Sequence, residues 1–250
     1  VYGSSRCIVI LRGHSVRKGR ANFDSIEVDF DCARTSIASL KEQVLEPLRH
    51  VYSHINVFCC PSDNERRDYL MSELKPSLFK NCDGGDQLTS IVNALETVPN
   101  RDNAWHRPFD SVFFTRFDLL YKKPITEWGF SSDCVVNYPF RHVGWGEGDC
   151  REVPDTMLWI NNIEDGYHRF TDQIGCLLRN PVCFGHRYGH SLHGMYKLLD
   201  GAGISQCFAV DSIHRTNTAH PDDPFGKNPF YAHSGRHYHH DDFSSPCFLK

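Results

Sequence analysis

Apolar residues alternate along this chain between short unbroken runs and longer stretches with helical spacing. Arg6 to Leu11 (RCIVIL) is a compact apolar run that predicts a strand. From Asp31 or Thr35 to about Tyr52, Ile37, Leu40, Val44, Leu45 and Leu48 recur on one side of a helix. Ile55 to Cys60 (INVFCC) is a second strand; Ser62 to Leu74 is a charged helix, capped by Ser62 or Asp63 and stopped by Pro76. Gln87 to Val98 predicts another helix, N-capped near Asp86, with Ile91, Val92 and Leu95 inward. A strand over 111 to 121 follows. This βαβαβ alternation predicts an α/β fold with a mostly parallel central sheet flanked by helices.

The second half is less regular. Strands are expected at Cys134 to Tyr138 and Thr156 to Ile160, with a short late one at Cys207 to Val210; helices are expected at Gly166 to Leu178 and Ser191 to Asp200. From Ile213 onward His, Pro, Gly, Asp and Asn dominate, which predicts an irregular C-terminal region. No repeat or linker divides the chain, so residues 1–250 are expected to form a single domain, with 1–125 the ligand-binding half and 126–250 the second half and tail.

The most informative stretch is DSVFFTRFDLLYKKPI, residues 110 to 125. Val112, Phe113 and Phe114 suit a strand covered on both faces, and Arg116 and Asp118 then interrupt the apolar run. Charges in such a run need partners. Two readings stay open: an internal Arg116–Asp118 ion pair, or a carboxylate that meets a divalent cation beside a phosphate at the carboxyl end of a strand. The loop after the first strand carries Arg12, Gly13, His14, Ser15, Arg17, Lys18 and Arg20. Its cations suit a diphosphate or an acidic substrate, although a solvated basic loop would look the same.

Composition narrows the partners. The chain has 250 residues, is 40% hydrophobic and carries a formal charge of −4, so nothing points to nucleic acid, and no apolar run is long enough for a membrane span. Its 11 cysteines include no C-x-x-C, which argues against a zinc ribbon or a thioredoxin-type motif. Cys7 and Cys59 fall in apolar runs and read as buried thiols, whereas some of Cys134, Cys150, Cys176, Cys183, Cys207 and Cys247 are expected in disulfides. That expectation, with a start at Val1, favours the secretory pathway (Golgi or endoplasmic reticulum lumen) or an extracellular setting. Cytoplasmic residence is the alternative, and the absence of an N-x-S/T sequon weakens the secretory case. No G-x-S-x-G, H-E-x-x-H, kinase or G-x-G-x-x-G signature is present.

The segments RCIVILRGHSVRKGR and DSVFFTRFDLLYKKPI, about a hundred residues apart, together resemble the donor-binding strands of nucleotide-sugar-dependent glycosyltransferases with the GT-A fold, a Rossmann-related architecture. Arg116 stands where the first acid of an Asp-x-Asp motif would be. The resemblance implies Arg12, Gly13, His14, Arg17, Arg116 and Asp86 at the donor. It implies Asp118 and His214 as ligands of Mn²⁺ or Mg²⁺, and Asp155 (VPDTMLW) as base for a glycan, protein or lipid hydroxyl acceptor. Trp145 and Trp159 would suit stacking on sugar rings, with core packing the other reading. The expected activity is metal-assisted sugar transfer from a nucleotide-sugar. The alternative is a catalytically inactive GT-A-like component of a larger assembly, structural or carbohydrate-binding. Under the metal reading, Asp118→Ala should abolish metal-dependent nucleotide binding and leave the fold intact.

Overall fold

The computed structural model describes residues 5–13, 30–62, 64–82, 87–98, 109–143, 157–179, 195–214 and 229–233. Seven strands form one sheet in the order β3-β2-β1-β4-β7-β6-β8. They are β1 (Arg6–Gly13), β2 (His54–Pro61), β3 (Leu78–Phe79), β4 (Ser111–Arg116), β6 (Val136–Val143), β7 (Leu158–Asn161) and β8 (Gln206–His214). β7 runs antiparallel to both β4 and β6; the other neighbours are parallel, so β1, β2, β4, β6 and β8 all end at one edge. A separate two-stranded ribbon pairs β5 (Leu119–Tyr121) with β9 (Tyr231–His233).

Strand alternation divides the core into two layers. Ile8, Ile10, Val112 and Phe114 face one side and pack with α4 (Gln87–Leu95), α5 (Gly166–Arg179) and α6 (Met195–Gly201). Cys7, Val9, Leu11 and Phe113 face the other, against α1 (Phe30–Leu40), α2 (Glu46–Val51), α3 (Arg67–Leu74) and the ribbon. α1 and α2 are joined by a π turn, Lys41–Leu45. Pro47, in the first turn of α2, has no amide hydrogen to give an i→i−4 bond, so the helix register slips just before it.

The expected alternation of strands and helices is present, with local differences: β3 was not expected, and β6 and β8 extend beyond the expected 134–138 and 207–210. The charged helix starts at Arg67 with no side-chain cap, because Pro61 still belongs to β2 and the Ser62 amide is tied to the Gly13 carbonyl at 3.0 Å. The run 111–121 is two strands: a turn at Phe117 and Asp118 separates β4 from β5, which leaves the main sheet. The region expected to be irregular contains β9, three residues long and so too short for an apolar pattern to mark. Cys134 and Cys207 lie within bonding distance of each other, with Cα atoms 6.0 Å apart, and link the segment before β6 to the start of β8. Cys7 and Cys59 are buried thiols, as expected. None of the helices described is long and apolar enough to cross a membrane.

Gly166 opens α5 where space is shortest: a Cβ there would lie 2.7 Å from the Asn161 carbonyl oxygen and 2.7 Å from Val135 Cγ1. Gly166→Ala is expected to cost about 1–3 kcal/mol by overpacking, read as a lower urea midpoint at unchanged slope.

Candidate functional site

The topology selects one place on the sheet. The chain steps from β1 to β2 on one side and later enters β4 on the other, so the strand order reverses between β1 and β4. Open α/β sheets bind ligands outside the carboxyl ends of the strands at such a switch point. There Arg12 of β1 pairs in register with Arg116 of β4, and Gly13 pairs with Pro61 of β2. By alternation Arg12 and Arg116 fall on the same face, about 4.8 Å apart along the hydrogen-bonding direction.

Arg12 is buried, with its guanidinium over the Phe114 ring at 5.3 Å from the centroid. Gly13, the last residue of β1, has φ +86°, a left-handed conformation that a side chain would strain. Arg116 grips Asp118 with two bonds: Nε donates to Oδ1 at 2.8 Å, and the terminal nitrogen Nη2 donates to Oδ2 at 2.5 Å. Their side chains are 11% and 3% exposed. The intervening Phe117 is buried, and its amide donates to the Arg12 carbonyl at 3.4 Å.

β5 is anchored beneath this turn. Ser39 Oγ of α1 donates to the Tyr121 carbonyl at 3.1 Å and accepts from the Tyr121 amide at 2.7 Å. The Tyr121 hydroxyl lies 2.8 Å from Thr115 Oγ1 at the end of β4. Burial raises the Tyr121 pKa, and the Asp118 carboxylate adds to that, so the phenol stays protonated. The turn holding Asp118 is therefore clamped at both ends.

The structure brings Arg12, Gly13, Arg116 and Asp118 together. The backbone of His214 ends β8 at the same sheet edge, but three strands beyond β4, about 14 Å away by strand spacing. The side chain of His214 lies outside the described residues, as do His14, Arg17, Asp86, Trp145 and Asp155. Trp159 is a core residue rather than a sugar platform: it is buried against Phe113 and Phe130, and its Nε1 donates to Asn161 Oδ1 at 2.8 Å. The backbone of His233 pairs with Leu119, the residue after Asp118, and follows the apolar run Phe230-Tyr231-Ala232.

A divalent cation fits this donor set poorly. Both Asp118 oxygens already accept from Arg116, a cation that would repel a metal at the same carboxylate. Among the described residues no group of three His, Cys, Asp or Glu side chains could hold an ion. Arg12 and Arg116 bring to this edge two guanidinium groups, a group whose planar fork suits phosphate oxygens. A cavity of about 750 Å³ lies elsewhere, near the start of β2, among Lys41, Arg49, His54 and Glu73.

Solved structures similar to this chain include nucleotide-sugar transferases. One is a nucleotide-diphospho-sugar transferase from Desulfovibrio desulfuricans G20, 13% identical, with a TM-score of 0.47 over 90% of this chain and 92% of that one. Another is an active-site mutant of LgtC, 11% identical, with a TM-score of 0.49 over 97% and 94%. A third is a glycosyltransferase involved in glycosylation of the major capsid of PBCV-1, 16% identical, with a TM-score of 0.42 over 91% and 92%. No protein-family model matches the sequence, and no curated protein matches it.

Proposed function

We propose that the chain transfers a sugar from a nucleotide-diphosphate donor to a hydroxyl acceptor. The observation that carries this reading is the in-register pair Arg12 and Arg116 at the carboxyl edge, where the strand order reverses. The resemblance of the two segments that supply these arginines to GT-A donor-binding strands points the same way.

In the proposed reaction the acceptor oxygen forms a bond to the anomeric carbon as the bond to the diphosphate breaks, and negative charge grows on the leaving phosphate. Arg116, oriented by Asp118, offers that charge a fixed guanidinium, and Arg12 adds a second cation beside it. Asp155 is proposed to take the acceptor's proton, and an acceptor of the glycan, protein or lipid class completes the reaction. Mn²⁺ or Mg²⁺ would supply charge neutralisation at the diphosphate when bound. No step above depends on it. An observation favouring the alternative, a catalytically inactive relative, is that Arg116 and Asp118 already satisfy each other.

Calorimetric titration of UDP, GDP and their sugars, with Mn²⁺, with Mg²⁺ and with chelator, tests the proposal. One nucleoside diphosphate is expected to bind, and to keep binding in chelator because the guanidinium groups carry the charge. Arg116→Lys, which keeps the charge but loses the fork, should weaken that binding about tenfold. A folded sample that binds none of these nucleotides would overturn the proposal and leave the inactive reading. Binding only with a metal would return Asp118 to the role of ligand.

A further inference from the structure

The cavity near the start of β2 lies at the opposite end of that strand from the arginine pair. His54 is on its rim, and Cys60 is the strand neighbour of Arg12. From one to the other β2 rises about 20 Å at the spacing of an extended strand. The cavity therefore has no part in the site described above.

Two helical walls and one strand build it. The helical run from Phe30 to Val51 lays Lys41, Leu45 and Arg49 along one wall, every fourth residue. Lys41 and Leu45 are the two ends of its π turn. The end of α3 forms the other wall with Glu73, Leu74 and Lys75. Lys41 Nζ donates to Glu73 Oε2 at 2.5 Å and so ties the walls together. Leu45, Val57 and Leu74 are buried and Ile55 is half-buried, which makes the floor aliphatic. Glu46, Arg49, Glu73 and Lys75 on the rim are exposed. A volume of about 750 Å³ falls in the size range of small-molecule sites.

Lys75 gives the rim its direction. It has φ +44° just after the last residue of α3, a left-handed position that glycine ordinarily fills. A lysine there carries backbone strain, and strain of this kind collects where a side chain is needed for a ligand. The other charges of the lining already answer one another, Lys41 with Glu73 and Arg49 with Glu46. Among the described residues the Lys75 side chain makes no ion pair.

We propose that this cavity binds a small aliphatic carboxylate, with its chain on the Leu45–Ile55–Val57–Leu74 floor and its carboxylate at the Lys75 ammonium. One fixed cation without a counter-charge calls for one negative charge. A phosphate ester, close to a dianion at neutral pH, would leave the excess facing Glu46 and Glu73. An amine would be repelled by Lys75, and an alcohol would leave the ammonium without a charged partner.

The test titrates octanoate, hexanoate, octanol and octylamine into the full chain by calorimetry. Octanoate is expected to bind one site. Hexanoate should bind more weakly by roughly fourfold for each methylene lost from the floor. Octanol and octylamine should bind at least about tenfold more weakly than octanoate, the scale of a charge-assisted hydrogen bond. Lys75→Gly should keep or raise the urea midpoint, because glycine relieves the left-handed position, and yet weaken octanoate about tenfold. Ile55→Trp, which puts an indole into the trough, should abolish binding. Octanoate bound no better than octanol, or with unchanged affinity in Lys75→Gly or in folded Ile55→Trp, would overturn the proposal. These outcomes do not depend on the nucleotide-sugar reading.

Discussion

Asp118→Ala is expected to lose about 3–5 kcal/mol of stability, the usual cost of leaving one member of a buried ion pair without its partner. The Asp118 side chain is 3% exposed and accepts two bonds from Arg116, whose own side chain is 11% exposed. Removing the carboxylate takes two charge-assisted hydrogen bonds from a guanidinium in a place that water barely reaches. The double variant Arg116→Met/Asp118→Leu should regain most of the loss, because apolar replacements remove the desolvated charges together. Asp118→Asn should fall between, since it keeps an acceptor and gives up the charge. Urea unfolding with linear extrapolation measures all three. A single variant within about 0.5 kcal/mol of the parent, the scale of an ordinary surface change, would mean that the pair contributes nothing and that the carboxylate is free for a ligand. The expectation from sequence that Asp118→Ala would leave the fold intact is therefore revised. Nucleotide binding in that variant should be read only beside its stability.

The second large effect is expected in the middle of β4. Phe113→Ala should cost about 3–5 kcal/mol, the range for emptying an aromatic site in a packed core. Phe113 is wholly buried between β1 and β7, with its ring 5.9 Å from Trp159 and meeting Trp128 edge-on at 6.4 Å. Large rings on either side cannot close in without leaving favoured rotamers, so the cavity persists. Val51→Ala offers the contrast: Val51 is 56% exposed, and its loss should stay within about 0.5 kcal/mol. Comparable midpoints for the two variants would show that β4 is not the centre of the core.

Much of the sheet was legible because buried parallel strands need unbroken apolar runs, and RCIVIL, INVFCC and SVFF are such runs. Helix α5 was legible for the complementary reason, a half-buried surface with helical spacing. β4 was overextended because Leu119, Leu120 and Tyr121 continue its apolar pattern; composition does not reveal that the Arg116–Asp118 clasp turns the chain out of the sheet. β3 and β9 are too short for periodicity to register, and pairing alone defines them. In the candidate site, the charged ends of β1 and β4 were legible, since charge after a buried strand is unusual. The registration of Arg12 beside Arg116 is tertiary information. So is the pairing of Asp118 with the Arg116 guanidinium, which depends on which partner lies within reach.

The ribbon of β5 and β9 also carries a consequence for biosynthesis. Leu119 and Tyr121 are buried beneath Phe230 and Tyr231, so the layer under the Asp118 turn is completed by a segment made far later. The ribosome must add about 110 residues between the two strands, which takes about 5–20 s at ordinary elongation rates. Through that interval the nascent β5 has an open edge and uncovered aromatic neighbours, the kind of surface that chaperones bind. The switch-point edge can therefore take its final form only when most of the chain has left the exit tunnel. Slow decoding between residues 121 and 230 would prolong the exposure of β5 without changing a single side chain.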